Sequence, residues 1–289
     1  MASLNRALRA FSRLPSYLAW LAGSRHSKDA GWYSMCGDAR LARSSFLHGS
    51  SMTCYISPTG VRIPLEGPDD LDTTFDVYSS GHYDRLGETM QPGSVVWDIG
   101  ANIGVASLIF AQNPNVDHVY AYEPMPHTFA CARESFAANA ALAGKIDIEN
   151  MGVSSSRGEL ELNYTEKAKC AIGVSEIPDR LRKLYDIRPE DMKSVTVQLA
   201  DAEEVLRGIR ARHPNAPIVL KLDAEGAEYG IIDRLASTGA LREISAAAIE
   251  WHLSPGEPVL TSRLRDAGFQ TEAKVLEADG SIGMIDAWR

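Results

Sequence analysis

VVWDIGANIG, residues 95–104, decides how this chain is read. Val95, Val96 and Trp97 form a continuous apolar run of the kind buried on both faces in a parallel sheet, and Asp98 interrupts it. Gly100 can take backbone angles that a side chain forbids. Asn102 is the expected N-cap of a helix through IGVASLIFAQ, residues 103–112, with Ile103, Val105, Leu108 and Ile109 on one side and Pro114 just beyond. Strand, turn and helix start together leave bare backbone beside a helix N-terminus, where a ligand can approach closely.

The spacing discriminates between cofactors. A dinucleotide fingerprint, GxGxxG, uses its glycine turn to hold a pyrophosphate. Here Asp98 stands at the first glycine, giving DxGxNxG up to Gly104. A carboxylate repels pyrophosphate and attracts an ammonium group, which disfavours an NAD-dependent dehydrogenase. S-adenosylmethionine carries that ammonium and has no phosphate. Downstream, HVYAYEP, residues 118–124, reads as the next strand and ends at Glu123, where α/β nucleotide folds place an acid that accepts from ribose hydroxyls. Pro124 turns the chain into a helix carrying Phe129, Ala132, Arg133, Phe136 and Ala140, which closes near Gly144.

Two more strand ends carry titratable groups. PIVLKLDAEGAEYGIIDRL, residues 217–235, runs from a buried strand, Ile218 to Leu222, into a helix near Gly226. Lys221, Asp223, Glu225 and Glu228 lie at or just past the strand's end, with both glutamates expected in the first helical turn, where carboxylates suit the dipole. ISAAAIEWHLSP, residues 244–255, repeats the pattern: Glu250 and His252 share one face of the emerging strand and Trp251 takes the other. A hydroxyl attacks a methyl sulfonium only after its proton is accepted, and His252 titrates in the right range. His252 is thus the expected general base, oriented by Glu250, with Asp223 positioning the acceptor or the cofactor's methionine end. In the alternative, Asp223, Glu250 and His252 ligate a divalent cation; histidine is an atypical ligand for magnesium, so this ranks below the metal-free base.

DIGANIG, YEP, KLDAEGAEY at 221–229 and IEWH at 249–252, in this order, resemble the FkbM family of S-adenosylmethionine-dependent methyltransferases, over a stretch from about Asp72 to the C-terminus. The resemblance implies an α/β class I methyltransferase (Rossmann-like) fold: a central seven-stranded, mostly parallel sheet with helices on both faces and an antiparallel last strand. It also implies S-adenosylmethionine as cofactor and O-methylation of a natural-product, sugar or glycolipid hydroxyl. Asp98, Gly100, Asn102, Gly104, Glu123 and Pro124 are then the cofactor candidates, joined by Met151 and Gly152, since class I methyltransferases contact adenine from the loop after the third strand. Lys221, Glu225, Glu228 and Tyr83 are acceptor-side candidates; Tyr83 lies in GHYD, residues 81–84, which matches the family's G-x-Y-[DE]. A nucleoside-binding partner protein without transferase activity is the competing class, disfavoured because it has no need of Asp223 or His252.

Composition bounds the rest. A chain of 289 residues with 45% hydrophobic content can bury a large core. Its formal charge of −9 gives no basic footprint, which argues against a nucleic-acid substrate and leaves a small-molecule or carbohydrate acceptor. Cys36, Cys54, Cys131 and Cys170 lack metal or CxxC spacing, so reduced thiols and a cytoplasmic location are expected. Residues 1–90 read as an N-terminal helical and hairpin extension, with SMTCYISPTGVRIPL as the hairpin and one helix through TTFDVYSSGHYDRLGETM. Residues 91–289 read as the methyltransferase domain, with an insertion at about 160–195 containing a helix in PDRLRKLYDI. Residues 4–22 mix Arg6, Arg9 and Arg13 with apolar side chains around Pro15. Packing on the core or on another subunit of a homo-oligomer is preferred there over a membrane-surface helix.

Overall fold

The structure is a computed structural model and describes residues 33–35, 39–45, 51–165, 186–252 and 255–289. The arginine-bearing segment 4–22 and the helix expected in PDRLRKLYDI lie outside the described residues, apart from the last two positions of the latter.

Strands β1 (Tyr33–Met35), β2 (Ala39–Ser45), β3 (Ser51–Ile56) and β4 (Arg62–Leu65) form an antiparallel sheet in sequential order. The expected hairpin is β3–β4, closed by a turn in which Gly60 N donates to Ser57 O. Two helices follow where one was expected: α1 (Pro68–Ser80) stops at Gly81, whose φ of +66° ends a right-handed helix, and α2 (Asp84–Thr89) starts afresh.

β5 (Ser94–Ile99) is buried along its whole length, as the apolar run requires. α3 (Val105–Gln112), β6 (Val116–Tyr122), α4 (Pro126–Ala137), the short α5 (Ala140–Ala143) and β7 (Ile146–Glu149) complete the first half of an α/β unit. The chain then leaves the main sheet. β8 (Gly152–Ser154), β9 (Gly158–Tyr164) and β10 (Lys193–Asp201) build a separate three-stranded sheet, in which β10 pairs parallel with β8 and antiparallel with β9. These strands take up both ends of the insertion expected at 160–195, and Tyr164 pairs with Lys193. α6 (Ala202–Arg212), β11 (Ile218–Leu222), α7 (Glu228–Ser237), β12 (Ile244–His252), α8 (Glu257–Asp266), β13 (Gln270–Val275) and β14 (Ile282–Trp288) form the second half.

The central sheet has seven strands in the order β13-β14-β12-β11-β5-β6-β7, and β14 alone runs antiparallel to its neighbours. This is the class I methyltransferase sheet. Alternation along β5 assigns its two faces. Val96 packs into a cluster with α1 to α4, through Leu71, Leu86, Leu108 and Phe136. Val95, Trp97 and Ile99 point the other way, into a cluster with α6, α7 and α8 through Leu206, Ile231, Leu235 and Leu264. Tyr55, Ile63 and Leu65 join the first cluster, so the hairpin shares the core of the main sheet. The strand order reverses between β5 and β11, and the carboxyl ends there open the crevice in which open α/β sheets bind ligands.

Candidate active site

At the carboxyl end of the sheet, the tips of β5 and β11 touch. Gly100 has φ +79°, and a Cβ on it would lie 1.7 Å from the backbone oxygen of Asp223. Asp223 N donates to Ile99 O at 3.1 Å, closing the same contact from the other side. The strand register sets Lys221 directly beside Asp98. Its Nζ lies 3.3 Å from Asp98 Oδ1 and 3.6 Å from Asp223 Oδ2, and it donates to the carbonyls of Ile99 and Gly100. Asp98 is fully buried and also accepts from Ser107 Oγ at 2.5 Å.

The ammonium that Asp98 attracts is therefore the protein's own. Asp98 was expected to meet a ligand, and Lys221 an acceptor; the structure pairs them with each other beneath the site. Burial works to lower the Lys221 pKa, but the Asp98 and Asp223 carboxylates outweigh it and hold the amine above its ordinary range.

Glu123 ends β6 with both carboxylate oxygens tied to backbone: Oε2 accepts from Asn102 N and Oε1 from Met125 N, each at 2.9 Å. Burial pushes its pKa up to about 7 against the pull of those two bonds. Asn102 sits at φ +50° and caps no helix; its own Oδ1 takes the Ile103 N–H. The N-cap of α3 is Gly104, at φ +84°. A Cβ at Gly104 would lie 2.5 Å from the Phe136 ring, so this glycine serves close packing of α3 on α4.

A pocket opens over this edge. Gly100, Asn102, Glu123, Pro124 and Gly152 line one part of it. Met151 does not line it and packs against the core cluster that contains Val95, Trp97 and Val153. Leu160, Leu162, Val197 and Leu199 of the small sheet supply an apolar wall that the sequence reading missed; the alternation in KSVTVQLAD was its available signal. Asp223 and Glu225 complete the lining.

Those two acids also belong to a second cluster. Glu228, at the start of α7, is fully buried and accepts from Ala224 N, Gly226 N and His252 Nδ1, the last at 2.9 Å. Glu228 therefore orients His252 in place of Glu250 and has no oxygen directed at an acceptor. Glu225 lies before the helix, at φ +50°, instead of in its first turn. His252 Nε2 faces Glu225 Oε2 at 3.6 Å, Glu250 Oε1 at 3.7 Å and Asp223 Oδ1 at 4.0 Å. Tyr83 is buried edge-on against Phe110, and burial, then Asp223 and Glu250, raise its hydroxyl well above its ordinary range.

Charge is crowded here. Burial alone would lower the His252 pKa, but the Glu228 hydrogen bond and then the Glu225 and Asp223 carboxylates push it up to about 10. Burial raises Glu225 to about 7, against the pull of His252. Burial and Asp223 raise Glu250 well above the carboxylate range. In this arrangement the neighbouring acids favour the charged imidazole.

Comparison with known proteins agrees with this geometry. The family model described as the methyltransferase FkbM domain matches residues 98–271, more than half of the chain. The hexuronic acid methyltransferase AglP of Haloferax volcanii is 25% identical over 80% of this chain and 86% of its own. The 31-O-demethyl-FK506 methyltransferase FkbM of Streptomyces tacrolimicus is 29% identical over 73% of this chain and 76% of its own. Methyltransferase sdnD of Sordaria araneosa is 27% identical over 74% and 88% respectively.

Proposed function

Because the chain belongs to the FkbM family of methyltransferases, we propose that it transfers a methyl group from S-adenosylmethionine to a hydroxyl of a sugar-containing or natural-product acceptor. The observation that carries this reading is the double position of Asp223 and Glu225. Both line the pocket beside Glu123, and both face His252. Cofactor pocket and proton-accepting groups thus meet at one edge.

The residues fit the cofactor. Glu123 keeps lone pairs for the ribose hydroxyls after accepting its two backbone bonds. The Leu160–Leu162–Val197–Leu199 wall suits an adenine face, and Gly100 and Asn102 offer bare backbone. Bound there, S-adenosylmethionine supplies an electrophilic methyl group on a sulfonium. The chain's task is to hold an acceptor oxygen in line, exclude water and take a proton. With the cofactor bound, the Asp223–Glu225–Glu250–His252 cluster would take the O–H proton of the acceptor as its oxygen is methylated, the thioether being the leaving group. Three carboxylates stand around one imidazole here, so no one of these groups is assigned the proton alone. The acceptor class follows the names of the relatives, one a hexuronic acid methyltransferase and one a 31-O-demethyl-FK506 methyltransferase.

Calorimetry with S-adenosylhomocysteine and NAD, followed by transfer of labelled methyl to hexuronic acid glycosides and hydroxylated macrolides, tests the reading. Binding of NAD in preference to S-adenosylhomocysteine would overturn it. His252→Ala is expected to lower turnover by about 10²–10⁴-fold while cofactor affinity stays nearly constant.

Glu123 gives a pH signature. Its folded pKa of about 7 lies above the ordinary 4.5, so in the free protein its contribution to stability is full below about pH 4.5 and is lost as pH rises through 7. Cofactor affinity runs the other way, since the ionised carboxylate is the better acceptor for ribose. S-adenosylhomocysteine is expected to bind about tenfold more tightly near pH 8 than near pH 5.5, the loss of one charge-assisted hydrogen bond worth ~1.5 kcal/mol. The slope should vanish in Glu123→Gln, and a slope that persists there belongs to another group.

A further inference from the structure

Three carboxylates surround one imidazole nitrogen without bonding to it. The separations of 3.6, 3.7 and 4.0 Å from His252 Nε2 to Glu225, Glu250 and Asp223 all exceed hydrogen-bond reach. The His252 side chain is only 9% exposed. Its other nitrogen is committed, because Nδ1 lies 2.9 Å from Glu228 Oε1 and Glu228 is itself fixed by two backbone N–H groups. An arriving cation has to displace the Nε2 proton that the surrounding acids favour; the imidazole then gives its Nδ1–H to the anchored Glu228 and its Nε2 electron pair to the metal, the outer contact that orients metal-binding histidines.

The donor atoms also converge. One atom each from Asp223, Glu225 and His252 lies within 4.8 Å of the other two. A hard cation with ligands ~2.1–2.3 Å away separates neighbouring donors by roughly 3.0–3.4 Å, so side-chain shifts of under ~1 Å complete the sphere. The charge balance points the same way. Asp98, Asp223, Glu225, Glu228 and Glu250 gather around Lys221 and His252, and Lys221 divides its charge between Asp98 and Asp223.

We propose that Asp223, Glu225 and His252 bind one divalent cation, with Glu250 closing a further side of the site. Two carboxylates and an imidazole favour Mn²⁺ over Mg²⁺, since imidazole is the softer ligand. The proposal rests on the methyl-transfer reading of this site and adds a cation to it. Beside the pocket, the cation polarises the acceptor hydroxyl and lowers its pKa, and the released proton leaves to Glu250 or water.

The test is direct. Protein stripped of metal by chelation is titrated with Mn²⁺ alone, free Mn²⁺ being followed by electron paramagnetic resonance, with S-adenosylhomocysteine binding measured on the same sample. The expected result is saturable uptake of one Mn²⁺ per chain, competed by Mg²⁺ and weakened at least about tenfold in both Glu225→Gln and His252→Ala. Glu225 sits in a loop at the rim, so its variant keeps the assignment testable if His252→Ala does not fold. No saturable uptake by protein that binds S-adenosylhomocysteine overturns the cation and leaves methyl transfer standing. Uptake unchanged in folded Glu225→Gln overturns the ligand assignment. Uptake without S-adenosylhomocysteine binding supports the cation and removes the methyl-transfer reading.

Discussion

Gly100→Ala is expected to abolish cofactor binding and to cost roughly 3 kcal/mol of stability, although it adds a single methyl group. Two costs combine. A residue with a Cβ pays about 1–2 kcal/mol to hold the left-handed backbone that Gly100 adopts at φ +79°. The added carbon would also lie 1.7 Å from Asp223 O, and forcing the two tips apart adds an overpacking cost of about 1–3 kcal/mol. Separation removes the Asp223 N to Ile99 O bond and the Lys221 bonds to the Ile99 and Gly100 carbonyls. It also displaces Asp223, which serves both pocket and cluster, and a misplacement of that size costs about 10²-fold in turnover. Urea unfolding and calorimetry with S-adenosylhomocysteine measure the two effects. A variant of native stability and affinity would mean that the tips do not meet as described.

The second large effect belongs to Lys221→Met. Methionine removes the ammonium and leaves Asp98 fully buried with Ser107 as its remaining side-chain partner among the described residues. Removing one member of a buried ion pair typically costs about 3–5 kcal/mol, because the other charge stays uncompensated. Against a total of about 5–15 kcal/mol for a native protein, that loss consumes a large share of the margin. Adding Asp98→Asn should restore part of it, since the stranded charge is then gone. Thermal unfolding of the single and double variants checks this. Equal destabilisation in both would show that Lys221 acts through its carbonyl contacts alone.

Legibility followed locality. The central sheet was readable because β5, β6, β11 and β12 are apolar runs ending in acids, and the reversed last strand came with the family resemblance. Asp98, Glu123, Asp223 and His252 were readable as groups at strand ends. Their partnerships were not. Lys221 meets Asp98 through the register of two strands more than a hundred positions apart in sequence, which no local pattern encodes. Glu250 looked like the partner of His252 because they stand two apart on one strand face, yet Glu228 reaches the imidazole from a helix start on the neighbouring element. Asn102 has the chemistry of an N-cap, but its N–H is drawn to Glu123 and the helix begins at Gly104. The small sheet was hidden for the same reason: β9 is legible as alternation, whereas its partner β10 arrives only after the intervening chain.

The pairing of Tyr164 with Lys193 has a consequence for how such a protein can diverge. The chain between these residues departs and returns at adjacent rungs of one ladder, so any replacement must satisfy only that short gap. Doubling the length of such a loop costs only about 0.6 kcal/mol of closure entropy. The chain length between these two rungs can therefore change at little cost to the ladder.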